Sequence, residues 1–328
     1  MASKKNRLQT GKKHLDFEKV IIIGVCRSGK TLLGRILGTL ENVEFVDEPW
    51  LATIIPSFQG NKLIDPEVAK EIMKSYVEEL FNDMILLRQA NFRPGDQSSI
   101  WVRKDAKVIL ERLINVKTRE DVRKYVEEKK PVLLLNLSST TLFISFLAEV
   151  FPDCKIIHVV RNGLDVAIEV GKKKWYSNKQ LKNPICNGIL YKVYFSKSYS
   201  GKYYIPWWVK KGEEEKFLKI NDFAKGLYFW RRHIELDEKE IKKFKTKRPK
   251  QYMEVRFEKL LKNPGKVIHS LSGFINAKYS DQTNMVVSEV DCKGLNSNKK
   301  YPLKSVTDEE KAKVKKLLKK LKYPTHGF

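Results

Sequence analysis

One stretch constrains the fold more than any other. Val20-Ile21-Ile22-Ile23 runs directly into Gly24-Val25-Cys26-Arg27-Ser28-Gly29-Lys30-Thr31, and a helical pattern continues through Leu32-Leu33-Gly34-Arg35-Ile36-Leu37. An unbroken β-branched run has no polar face to give to water, so it suits the centre of a parallel sheet. A glycine-bearing turn between such a strand and a helix points backbone N–H groups at one spot. The helix dipole adds partial positive charge there, and the turn binds anions. Arg27 and Lys30 add full charges and Thr31 adds a hydroxyl.

A parallel strand needs partners, and the sequence supplies them. Val43 to Val46, Val132 to Leu135, Lys155 to Val160 and Tyr252 to Phe257 read as further strands. Helical patterns separate them: from Asp65-Pro66 onward, Thr140 to Val150, from Asp165 (placed to cap its own helix) onward, Asn221 to Leu236 and Val267 to Ile275. Thr307-Asp308-Glu309-Glu310 carries a capping-box pattern that opens a last helix. Alternating buried strands and helices predict an α/β, three-layer P-loop-type fold, with a central parallel sheet flanked by helices. Residues 1–17 read as a flexible basic tail, and 18–328 as one domain. Within it, a helical insertion is expected at about 99–130 and long substrate loops at about 172–216.

The loop alone leaves its ligand open. It fits the GxxxxGK[ST] pattern of kinases and NTPases without a mismatch. It also resembles the 5'-phosphosulfate loop of sulfotransferases, Pro-(Arg/Lys)-Ser-Gly-Thr-Thr, with Cys26 in place of the proline and Lys30 in place of the first threonine. A second motif separates the two. Ile156-Ile157-His158-Val159-Val160-Arg161-Asn162-Gly163-Leu164-Asp165-Val166-Ala167 runs a strand into an arginine. A planar guanidinium there can grip a phosphate with two parallel bonds, whereas a magnesium-holding strand would end in a carboxylate. This segment resembles the 3'-phosphate motif of sulfotransferases. Phe151-Pro152-Asp153-Cys154-Lys155, Trp230, Tyr252 to Leu260 with Asn263-Pro264, and Lys293-Gly294 with Lys299-Lys300-Tyr301 follow that family's order.

The resemblance covers roughly residues 18–325 and implies a sulfotransferase. Its donor would be 3'-phosphoadenosine 5'-phosphosulfate, used without a metal. Arg27, Ser28, Gly29, Lys30, Thr31 and Arg161 would hold the donor's phosphates. Phe257 would contact the adenine, and Lys293, Gly294 and Lys299 would close over the 3'-phosphate. Two positions depart from the pattern. Glu169 stands where a serine often contacts the 3'-phosphate, a repulsive choice unless it turns away or pairs with Lys172, Lys173 or Lys174. No lysine occurs near Asn136-Leu137-Ser138, where some members carry a catalytic one.

Glu48, twenty-one positions after Arg27, has a spacing like that of the glutamate base of protein-tyrosine sulfotransferases. Glu48, Lys30 and Arg27 are therefore the candidate catalytic groups. Asp47 is the neighbouring carboxylate, and strand alternation points it the other way. Ser138 could touch the sulfonate, His158 reads as a core residue, and Lys104 and Lys107 read as solvated unless the insertion brings them to the site. Trp175-Tyr176 and Tyr203 to Trp208 read equally well as an acceptor platform or as core under a loop. A kinase using magnesium and ATP, and a catalytically silent binder of nucleotides or polyanions, are the rival readings.

Charge and composition narrow the setting. The net charge is +25, with much of the excess in Lys242 to Lys250 and Lys311 to Lys322. Such a field favours an anionic donor or acceptor, and its simplest reading is solvated lysine-rich faces rather than a specific nucleic acid. No apolar run reaches the ~18 residues of a membrane span, and the basic start carries no secretory core. Four scattered cysteines without a CxxC pair fit a reducing compartment and argue against zinc. The expectation is a cytoplasmic enzyme acting on a hydroxyl-bearing acceptor, with an anionic or carbohydrate acceptor in keeping with the charge.

Overall fold

The computed structural model describes residues 15–96, 99–138, 140–183, 195–199, 202–290 and 300–325, the stretch 195–199 by its backbone. The chain begins with β1 (Glu18–Ile23), α1 (Lys30–Leu37) and β2 (Val43–Asp47), then α2 (Trp50–Gly60) and α3 (Pro66–Ile85). Three helices follow, α4 (Ile100–Arg103), α5 (Ala106–Asn115) and α6 (Arg119–Lys129). Then come β3 (Val132–Asn136), α7 (Ile144–Val150), β4 (Lys155–Val160), α8 (Gly163–Lys173) and α9 (Asn178–Lys182). A hairpin, β5 (Phe195–Tyr199) and β6 (Tyr203–Pro206), precedes α10 (Glu214–Lys219) and the long α11 (Asp222–Lys247). The chain finishes with β7 (Tyr252–Arg256), α12 (Phe257–Lys262), α13 (Pro264–Phe274), α14 (Asp281–Ser288) and α15 (Asp308–Lys320).

The main sheet has the order β2-β3-β1-β4-β7, and every pairing in it is parallel. Its register aligns Asp47 with Asn136 and Val160 with Arg256, so the strands end along one edge of the sheet. Both faces are apolar, as the unbroken strand runs require. Ile21, Ile23, Leu133, Leu135 and Ile156 pack on one side with Met73, Phe81 and Leu147. Val20, Ile22, Leu134, Ile157 and Val159 pack on the other with Leu33, Ile36 and Leu271. This is the expected α/β layering.

A third cluster lies around α8 and α11. Trp230, 1% exposed, packs so closely on Gly163 that a Cβ there would strike the indole. The segment 172–216, read from sequence as long loops, instead carries α9, the β5–β6 hairpin and α10 among its described residues. Tyr176 and Trp208 stack edge-on at 4.9 Å within this core, which favours packing over an open acceptor platform for that pair. The hairpin strands β5 and β6 are too short to register as alternation.

β2 is an edge strand, and the 99–130 segment covers it. Lys104 Nζ donates to the Val43 carbonyl at 2.5 Å and Arg103 Nη1 to the Phe45 carbonyl at 2.9 Å. Glu44, 2% exposed, meets Arg112 at 2.6 Å and Lys104 at 3.4 Å. Burial works against the Glu44 charge, yet the two cations hold its carboxyl down at about 2. Lys104, expected to be solvated, is 9% exposed, and burial lowers its ammonium to about 8 despite Glu44. Lys107 is exposed, as expected. No helix among the described residues is long and apolar enough to cross a membrane.

Candidate active site

The β1–α1 loop turns at the end of the central strand. Arg27 (φ 67°) and Gly29 (φ 96°) both take left-handed backbone, and Gly29 caps α1. Gly29 is required twice over: the positive φ suits glycine, and a Cβ would run into the Phe257 ring. Ser28 N donates to the Val25 carbonyl at 3.2 Å and Leu33 N to the Gly29 carbonyl at 3.1 Å, closing the turn onto the helix. Lys30 is only 4% exposed, and its ammonium donates to the Val25 carbonyl at 3.1 Å, bracing the loop from inside.

Arg161 leaves β4 beside this loop. Its Nη1 donates to the Arg27 carbonyl at 2.8 Å, and its guanidinium lies 4.6 Å from the centre of the Phe257 ring. Phe257 is thus wedged between Gly29 and Arg161 and orients the arginine, a contact the sequence reading assigned to adenine. Asn162, rather than the expected Asp165, caps the helix after β4: its Oδ1 accepts from Leu164 N at 2.9 Å. Asp165 instead accepts from the Tyr301 hydroxyl at 3.1 Å.

Two carboxylates reach the same edge of the sheet. Asp47 Oδ1 accepts from Thr31 Oγ1 at 3.3 Å and from Asn136 Nδ2 at 2.6 Å. The sequence reading pointed Asp47 away, and it is the carboxylate that touches the loop. Glu48 sits just past the strand with φ 50°, so alternation no longer governs it. Its Oε1 accepts from Ser138 Oγ, and its backbone N–H donates to the Asn136 carbonyl at 3.1 Å. Asn136 and Ser138 therefore hold both acids. Asn136 could have been flagged as the polar end of an otherwise apolar strand.

Glu169 does not turn away. Arg27 Nη2 and Lys172 Nζ both donate to it at 3.3 Å. Burial alone would raise its carboxyl, but these bonds and the charge of Arg161 hold it below the usual range. His158 is 5% exposed, with Nδ1 2.7 Å from the Tyr252 hydroxyl, and burial drives its pKa down to about 3. It is the neutral core histidine the sequence predicted. Lys293, Gly294 and Lys299 lie outside the described residues.

Three buried polar atoms at this edge have no partner: Ser28 Oγ, Asn136 Oδ1 and Arg161 Nε. Buried polar groups are normally bonded, so these three leave a loop, a strand end and an arginine with atoms able to bond a ligand. Among the described residues no group of three or more His, Cys, Asp or Glu side chains is arranged to hold a metal. The arrangement can bind a multiply charged anion against the loop and present a carboxylate beside it.

No curated protein sequence matches the chain. Solved structures similar to it include the sulfotransferase domain of the Synechococcus PCC 7002 olefin synthase, at 16% identity and TM-score 0.49, covering 95% of this chain and 98% of that one. A sulfotransferase from Alicyclobacillus acidocaldarius aligns at 13% identity and TM-score 0.41, covering 93% and 92%. A mouse sulfotransferase complexed with PAP aligns at 10% identity and TM-score 0.33, covering 90% and 73%. The profile of the sulfotransferase family matches residues 19–184, a span that holds both the β1–α1 loop and Arg161. With about half its length matched by that profile, the chain belongs to the sulfotransferase family.

Proposed function

We propose that the chain transfers a sulfuryl group from 3'-phosphoadenosine 5'-phosphosulfate to an acceptor hydroxyl. The observation that carries this reading is the junction of loop and fork: Arg161 bonded to the Arg27 carbonyl, with Ser28 Oγ and Arg161 Nε buried and unpaired beside it. A donor with phosphates at both the 5' and 3' positions asks for two anion grips side by side. The loop supplies one and Arg161 the other.

Transfer breaks the bond between sulfur and the bridging phosphate oxygen and forms a bond from sulfur to the acceptor oxygen. The acceptor's proton must leave as that bond forms. Glu48 is the candidate base, held by Ser138 Oγ at the sheet edge. Arg27 and Lys30 would neutralise charge on the leaving phosphate, with Lys30 exchanging its bond to the Val25 carbonyl for one to the ligand. A positioned base contributes about 10²–10⁴-fold, so Glu48 is a component of catalysis rather than its whole.

One contact favours a second reading. Thr31 Oγ1 and Asp47 Oδ1 lie 3.3 Å apart, a hydroxyl and a carboxylate that could share a magnesium ion with ATP. Calorimetric titration separates the two. Adenosine 3',5'-bisphosphate is expected to bind without metal, and more tightly than magnesium-ATP. Arg161→Ala is expected to weaken the bisphosphate about tenfold to a hundredfold while affecting adenosine 5'-phosphate much less. A preference for magnesium-ATP, or equal losses for both nucleotides, would overturn the donor assignment.

A further inference from the structure

Away from the loop, β4, β7, α11 and the end of α15 enclose a half-open pocket of about 390 Å³. Val160, Ile234, Ile241 and Leu321 form its apolar wall, and Asp237 lines its interior. No residue of the β1–α1 loop, and neither Asp47, Glu48 nor Ser138, belongs to it. Asp237 is 4% exposed, yet its carboxyl group makes no hydrogen bond or ion pair with any described residue.

The charges around the pocket do not serve Asp237. From α11, Glu238 is engaged by Lys320 of α15, and Lys245 lies 4.9 Å over the Tyr252 ring. Lys242 and Lys245 are exposed at the rim, as is Glu254 of β7. His158 of β4 is neutral and bonded to Tyr252. Burial is the sole cause acting on the Asp237 carboxyl, which it raises to about 8. A buried acid without a counter-charge costs stability, and folds seldom keep one without use.

We propose that this pocket binds a compact apolar amine, its ammonium on Asp237 and its apolar body against Ile234, Ile241 and Leu321. The ligand supplies at depth the cation that the rim lysines, held in solvent, do not. Because the empty pocket keeps Asp237 largely protonated at pH 7, uptake of an ammonium ion there releases close to one proton.

The test uses benzylamine, benzyl alcohol and benzoate, titrated calorimetrically into the full chain at pH 7 in two buffers of different ionisation enthalpy. Benzylamine is expected to bind at least about tenfold more tightly than the alcohol, with a buffer-dependent heat that reports proton release. Asp237→Asn is expected to remove that preference, and Ile241→Trp, which fills the pocket from its half-buried wall, to remove binding altogether. Both variants are expected to bind adenosine 3',5'-bisphosphate as the parent does, which keeps this outcome separate from the donor assignment. Equal affinity for amine and alcohol, tighter binding of benzoate, or no binding of any of the three would overturn the proposal.

Discussion

The outer edge of β2 and the carboxyl end of the same sheet are both dense in charge, and they differ in what that charge holds. At the edge, Glu44 is met by Arg112 and Lys104, and the two strand carbonyls take Arg103 and Lys104. At the strand ends, Ser28, Asn136 and Arg161 each keep a buried polar atom without a partner, and Arg27, Gly29 and Glu48 hold positive φ. The edge keeps an orphan of its own in Arg112 Nη1, so what sets the strand ends apart is that their unpaired atoms gather beside a loop and a strand end with left-handed backbone. Neither charge density nor a single unpaired atom marks a site; several such atoms around an anion-binding loop do.

Four changes test that contrast. Glu48→Gln has the largest expected effect, a fall in turnover of about 10²–10⁴-fold with donor binding kept. Turnover close to the parent's would remove Glu48 from the chemistry and leave Asp47 as the acid to examine. Glu44→Gln comes next. It strands Arg112 and Lys104 as buried cations and is expected to lose about 3–5 kcal/mol of stability in denaturant titration. A loss below about 1 kcal/mol would mean that the edge is not held by this cluster.

Asp237→Asn carries the comparison to a buried acid with no partner. Its folded pKa, about 8, stands above the ordinary 3.8, so the folded state binds the extra proton between those values. Stability from this group is therefore complete at low pH and falls as pH rises toward 8. The asparagine variant is expected to lack that fall, gaining on the parent by up to about 1.4 kcal/mol per pH unit across this range. Parallel stability curves for the two proteins would show that Asp237 has a partner in solution. Glu169→Gln has the smallest effect. Removing a partly exposed carboxylate from Arg27 is worth about 0.2–1 kcal/mol, so the bisphosphate should bind at most about fivefold more tightly. Weaker binding would instead show that Glu169 positions Arg27 for the donor.

The open end of the sheet was far more legible in the sequence than its closed edge. The loop and the Arg161 segment are local patterns, a strand followed within a few residues by its chemistry, and both stand where the sequence put them. Glu44, Lys104 and Arg112 come from separate elements, and nothing in their spacing says that they meet, so Lys104 read as solvated. Asp165 lost its capping role to Asn162 because two residues compete for one helix start and only backbone geometry decides. Asp47 reaches the loop edge along with Glu48, because the chain leaves the extended conformation at Glu48, where a period of two stops applying. Tyr176 and Trp208 needed the packing of α8 and α11 to be recognised as interior.

The covered edge of β2 bears on how copies of this chain can associate. An edge strand is a template for another strand, and the first carbonyls a newcomer would pair with here are already taken by Arg103 and Lys104. Extension of the sheet on this side therefore requires α4 and α5 to lift away first. The same pair of side chains that ties a helical segment to the domain also guards against runaway strand addition, and heating or acid that frees that segment would open a seed for aggregation there.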